Sequence, residues 1–119
     1  MRKICSVKQS SVFSRAYRSG QSVAEEHIVV YALKRRKKGE SMPSSLGLTV
    51  SKKFGRAVDR SRARRILREA YRPFLNALPC GYDIIVVARY ALRGSKMNDA
   101  YVDMASAFTK LGLIKGEAV

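Results

Sequence analysis

The sequence predicts an α+β fold: a small α/β sandwich in which a helix, two or three strands, a long helix, a strand and a last helix follow one another in a single domain spanning residues 1–119. Three observations carry this. Residues 83–88 (DIIVVA) form an unbroken apolar run, the pattern of a buried strand. Residues 27–33 (HIVVYAL) and 46–51 (LGLTVS) are short and rich in strand-forming side chains. Between the last two strands, Ala63, Ile66, Leu67 and Ala70 fall in one helical arc about 100° wide. A strand, a long helix and a strand in that order predict a β-α-β unit, which normally pairs its strands in parallel.

The elements follow in order. Residues 8–19 (KQSSVFSRAYRS) put Val12, Phe13, Ala16 and Tyr17 at helical spacing, and Gly20 supplies a stop. Strand 27–33 comes next. Lys34 to Lys38 are five consecutive basic residues, followed by Gly39, Glu40, Ser41, Met42 and Pro43, and residues 34–45 read as a mobile basic loop between strands. Strand 46–51 ends at Lys52-Lys53. The long helix spans about residues 58–77, with Asp59 where a carboxylate favours a first turn. Pro73 lies inside that span and either kinks the helix or shortens it. Pro79-Cys80-Gly81 is a break. Residues 97–112 place Ala100, Met104, Phe108 and Leu111 along one helical face ending at Gly112, with Asn98 or Ser95 as the cap.

Charge narrows the function. Lys plus Arg number 24 against 9 Asp plus Glu, a formal charge of +15 and a pI near 10.4. Such an excess opposes compaction unless a polyanion neutralises it. Hydrophobic content of 46% is enough for a core and argues against a disordered basic tail. No apolar run approaches the roughly 18 residues of a membrane span. The charged start Met1-Arg2-Lys3-Ile4-Cys5 has no apolar segment behind it, so no signal peptide is expected. A cytoplasmic nucleic-acid-binding protein follows. Cys5 and Cys80 have no second ligand at metal spacing and read as reduced, ordinary thiols.

An enzyme working through its own side chains needs converging acid, base or metal groups. The nine acids are Glu25, Glu26, Glu40, Asp59, Glu69, Asp83, Asp99, Asp103 and Glu117, and they form no close set. Asp99 and Asp103, four apart, read as a solvated helix face. His27, the only histidine, is given no catalytic part. No catalytic residue is therefore assigned, and no metal ligand.

The basic features point elsewhere. From Gly55 to Arg72 (GRAVDRSRARRILREAYR), seven of eighteen residues are Arg. Arg60, Arg64, Arg68 and Arg72 run along one face at i, i+4 spacing, with Arg62 and Arg65 further round. A rail of guanidinium groups suits a phosphate backbone. Glu69 is placed to pair with some of these Arg but cannot balance them all. Lys52 and Lys53 sit beside the rail. Phe13, Tyr17 and Tyr31 either fill the core or stack on bases in a groove between the first helix and the sheet.

On these residues the chain resembles the protein subunit of bacterial ribonuclease P. The similarity covers roughly residues 8–92 and is most specific from Leu46 to Arg72. The family's helix signature, Arg-Asn-Arg, a basic pair, Ile or Leu, then Arg-Glu, stands here as Arg60-Ser61-Arg62, Arg64-Arg65, Ile66-Leu67 and Arg68-Glu69. Ser61 replaces the usual Asn. Phe13 and Tyr17 with Gly20, Tyr31, and Ala88-Arg89 also match. The resemblance implies a sandwich with a left-handed β-α-β crossover, a large catalytic RNA as partner, and magnesium-dependent removal of the 5′ leader from precursor tRNA by an endoribonuclease whose active centre lies in the RNA. It implies that Arg60, Ser61, Arg62, Arg64, Arg65 and Arg68 bind the catalytic RNA. It places Phe13, Tyr17, Tyr31, Lys52, Lys53 and Arg89 in or beside the leader groove.

The main alternative is a ribosomal RNA-binding protein without a catalytic role, which would share size and charge but not the Leu46–Arg72 passage. A helix-turn-helix DNA binder fits less well, because a recognition helix usually mixes Asn, Gln and Ser among its contacts. A stand-alone nuclease lacks the acids.

Overall fold

The structure is a computed structural model that describes residues 4–36 and 41–114. Its elements are β1 (Cys5–Ser6), α1 (Ser10–Ser19), β2 (Gln21–Ala24), β3 (Ile28–Lys34), β4 (Ser45–Thr49), α2 (Ala57–Tyr71), β5 (Tyr82–Ala88) and α3 (Met97–Lys110). The five strands make one mixed sheet in the order β1-β4-β5-β3-β2. β4 and β5 are parallel neighbours joined through α2, as the β-α-β pattern requires. β3 runs antiparallel to β5, with Ile28 opposite Ala88 and Lys34 opposite Tyr82.

Strand alternation divides the apolar residues between two layers. Ile28, Val30, Ala32, Leu46, Ile84 and Val86 form the main core with Ala63, Leu67, Ala70 and Tyr71 of α2 and Ala100, Met104, Ala107 and Phe108 of α3. Ile85 is also fully buried but lies outside that cluster, against Gly47 and Phe13 on the α1 side. β5 is therefore covered on both faces, which is why its sequence shows no polar alternation. Phe108 packs edge-on to both Tyr71 and Phe74, at 6.2 and 5.0 Å between ring centroids. Burial pushes the Tyr71 hydroxyl well above the ordinary tyrosine range, so it stays neutral.

Several boundaries depart from the sequence pattern for local reasons. α2 stops at Tyr71 rather than near residue 77, and Arg72–Phe74 form a 3₁₀ turn. Pro73 thus shortens the helix instead of kinking it, because its ring leaves no N–H for the next helical bond. Neither Asn98 nor Ser95 caps α3; the Asp99 carboxylate accepts the Lys96 backbone N–H at 2.9 Å. The Ser95 hydroxyl instead donates to the Ala91 carbonyl. β2 supplies the third strand of the anticipated two or three. β1, at two residues, is too short to carry any periodicity. Of the anticipated loop 34–45, Lys34 closes β3, Ser45 opens β4, and residues 37–40 lie outside the described residues.

Candidate nucleic-acid interface

The basic helix is set by its first turn. The Asp59 carboxylate accepts the Arg56 backbone N–H at 2.9 Å and lies 3.8 Å from Arg93. Gly55 makes room for it: a Cβ there would sit 2.7 Å from Asp59 Oδ2. Ala63, Ile66, Leu67 and Ala70 then enter the core as their spacing predicts. The opposite side stays basic.

The six signature side chains have different surroundings. Arg65, Arg68 and Ser61 are exposed; Arg60, Arg62 and Arg64 are half-buried. Arg62 donates to the Ser95 carbonyl at 2.7 Å, tying α2 to the loop before α3. Arg60 Nε is enclosed without a hydrogen-bond partner among the described residues. Glu69 pairs with Arg72 at 3.5 Å, not with Arg62 or Arg65. Arg64, Arg65 and Arg68 have no carboxylate partner among the described residues. They are the side chains with charge to spare.

The aromatic residues gather on the α1 face of the sheet. Tyr17 and Tyr31 meet edge to face at 5.0 Å, and the Tyr17 hydroxyl shares a 2.6 Å hydrogen bond with Thr49 Oγ1. Tyr17 is 42% exposed, while Tyr31 and Phe13 are half-buried. None is a pure core residue. The sheet register adds the basic groups. Thr49 stands opposite Val87, so Lys52 and Lys53 after β4 and Arg89 after β5 leave the sheet at the same end. Lys52 and Lys53 are exposed in a 3₁₀ turn anchored by buried Phe54. Arg89 is also exposed, and its guanidinium donates to the Glu25 carbonyl at 2.7 Å.

The two groups are contiguous. A hollow is lined by Phe13 of α1, Leu46, Gly47 and Leu48 of β4, and Arg64 and Arg68 of α2. Two guanidinium groups and an aromatic ring therefore border one concavity. Gly47 keeps it open. A Cβ at position 47 would lie 2.7 Å from Ile85 Cδ1 and 2.8 Å from Phe13 Cζ. Gly47→Ala is expected to displace the Phe13 ring and cost about 1–2 kcal/mol. A fall in the urea midpoint with an unchanged slope checks this; an unaltered midpoint contradicts it.

The sequence reading missed one polar cluster. Asp103 is buried rather than solvated, and its Oδ2 accepts the His27 backbone N–H at 2.7 Å and contacts His27 Nδ1 at 2.9 Å. Glu25 accepts from Ser106 at 3.2 Å and Lys110 at 3.1 Å. These bonds fasten the β2–β3 turn to α3. The signal was present, since Asp103 lies three residues after buried Ala100 and four before buried Ala107. Among the described residues no three His, Cys, Asp or Glu side chains converge to hold a metal ion. No helix among them is long and apolar enough to cross a membrane. Cys5 and Cys80 are free and exposed.

Comparison with known proteins bears on this arrangement. A family model described as Ribonuclease P matches residues 1–112. A ribonuclease P protein component of Clostridioides difficile is 37% identical over 94 residues, covering 78% of this chain and 79% of its own. One from Clostridium beijerinckii is 34% identical over 116 residues, covering 95% and 93%. The solved RNase P protein of Staphylococcus aureus superposes with a TM-score of 0.80 at 28% identity, covering 95% of this chain and all (100%) of that one. That of Thermotoga maritima gives 0.71 at 26% identity, covering 96% of each chain.

Proposed function

The chain belongs to the ribonuclease P protein family, and from that premise we propose that it is the protein component of ribonuclease P and grips two RNAs at once. In this reading α2 lies on the catalytic RNA through Arg60, Ser61, Arg62, Arg64, Arg65 and Arg68. The α1 face takes the single-stranded 5′ leader of precursor tRNA, in the cytoplasm. Tyr17 and Tyr31 offer rings to bases, Phe13 borders the hollow shared with the rail, and Lys52, Lys53 and Arg89 offer cations to the leader's phosphates. A leader of no fixed sequence is best held by stacking and phosphate contacts, which every nucleotide provides.

The observation that carries this reading is the shared hollow in which Phe13 meets Arg64 and Arg68. A stacking surface beside an unneutralised Arg rail suits two RNA strands brought close together. The cations lower the repulsion between them. Endonucleolytic cleavage belongs to the holoenzyme, and the reading assigns both the active centre and the magnesium to the RNA partner. No step is routed through a metal held by this chain. Arg62 and Arg89 act here as fixed cations, because each is already oriented by a backbone carbonyl.

Two measurements test the proposal. Isolation of the protein from its cells should recover a single stable RNA that processes precursor tRNA. Recovery of ribosomal RNA instead would support the ribosomal alternative. Tyr17→Ala and Tyr31→Ala should each weaken binding of leader-bearing precursor by about 10-fold, the worth of roughly one stacked base. Leaderless tRNA should be nearly unaffected. Equal losses on both substrates would make these rings structural only.

A further inference from the structure

We infer that the chain carries a second seat for RNA phosphates, at the end of the sheet opposite Lys52, Lys53 and Arg89 and on the other flank of α1. The seat is formed by Arg15, Ser19, Lys34 and Arg36. It rests on the RNA-binding reading above and adds to it a surface that reading leaves unused.

The topology separates the two ends. β3 is antiparallel to β5, so β3 finishes where β5 begins, with Lys34 opposite Tyr82. Lys52, Lys53 and Arg89 follow the far ends of β4 and β5. The seven residues of β5 set the ends about 20 Å apart. α1 is a ridge between them. At 100° per residue, buried Ala16 has Phe13 and Tyr17 about 60° and 100° to one side, and Ser19 and Arg15 about 60° and 100° to the other. The first flank faces the aromatic groove. The second, with Lys34, Arg35, Arg36 and Asp83, lines an open hollow of about 400 Å³.

This second hollow is built, not incidental. Arg35 forms its floor and is spent on structure. It donates to Asp83 Oδ1 from Nε at 3.1 Å and from one terminal nitrogen at 3.0 Å, and also to the Pro43 carbonyl at 2.9 Å and Ser45 Oγ at 2.7 Å. The Arg35 and Asp83 side chains are only 18% and 10% exposed. That brace fixes the backbone of Lys34 and Arg36 on either side. Arg15, Ser19, Lys34 and Arg36 are themselves exposed. The one carboxylate lining the hollow, Asp83, is already satisfied by Arg35. No other carboxylate among the described residues pairs with Arg15, Lys34 or Arg36. Three uncompensated cations and a hydroxyl around a concave, rigid floor fit two or more phosphates of an RNA backbone. Those phosphates belong either to the catalytic RNA or to precursor tRNA.

The test compares the unaltered protein with an Arg15→Ala/Lys34→Ala/Arg36→Ala variant across a salt titration. One arm measures affinity for the catalytic RNA; the other measures affinity of the assembled holoenzyme for precursor tRNA. One arm should lose about 10-fold or more in affinity, and its log–log salt slope should flatten by about 1 to 2. A loss in the first arm identifies the catalytic RNA as the source of the phosphates. A loss confined to the second identifies the precursor. Unchanged affinity and slope in both arms, with the unaltered protein binding tightly, overturn the second seat alone. Failure of the unaltered protein to bind the catalytic RNA overturns the RNA-binding reading and this inference with it. The replaced side chains are exposed, so the thermal midpoint should stay put, separating lost contacts from lost fold.

Discussion

Replacing Arg64, Arg65 and Arg68 together by alanine should lower affinity for the catalytic RNA by about 1,000-fold or more, because each charge-assisted contact contributes about 1.5–3 kcal/mol. The log–log salt slope should flatten by about 2 to 3, the share of three phosphate contacts. These three are chosen because no carboxylate among the described residues neutralises them, whereas Arg62 also serves as a tie to Ser95. None of the three enters the core, and alanine is a better helix former than arginine. The thermal midpoint should therefore hold or rise while RNA binding collapses. An unchanged salt slope would mean that the rail does not touch phosphate. Arg62→Ala should behave differently. It should lose binding and stability together, since Ser95 would lose its donor.

The second large effect concerns the fold. Asp83→Ala should destabilise the protein by about 3 kcal/mol, because it strands Arg35 half-buried without its carboxylate. Arg35 joins the ends of β3 and β5 to Pro43 and Ser45, so its release loosens the start of β4 as well. Chemical unfolding with the single and double variants decides the matter. Adding Arg35→Ala to Asp83→Ala should recover part of the loss, because no uncompensated charge then remains. If the double variant is no more stable than Asp83→Ala alone, the penalty is not electrostatic.

The helices and the longer strands were legible because their patterns are local. Ala63, Ile66, Leu67 and Ala70 repeat at helical spacing, and that repeat is the buried stripe of α2. Residues 83–88 read as a strand because β5 is covered on both faces. The stop at Tyr71 was half legible: Pro73 announced a disturbance, but packing of Phe74 beneath Tyr101 and Phe108 decided that the chain turns there. Asp103 was misjudged for a comparable reason. A carboxylate on a helix is usually solvated, and only the approach of the β2–β3 turn makes it a buried acceptor.

The sequence by itself determined the excess of positive charge, the apolar stripe of α2, the Arg rail and the family signature from Leu46 to Arg72, since each depends on residue type and spacing along one element. Only the tertiary structure decided which cations are spent and which are free. Arg35 and Arg62 look like their neighbours in the chain, yet Asp83 neutralises Arg35, while the Ser95 carbonyl fixes Arg62 in place and leaves its charge available. Those partners lie 48 and 33 residues away. A charge is neutralised by what stands beside it in space, and only sheet register and helix packing bring such distant groups within hydrogen-bonding reach.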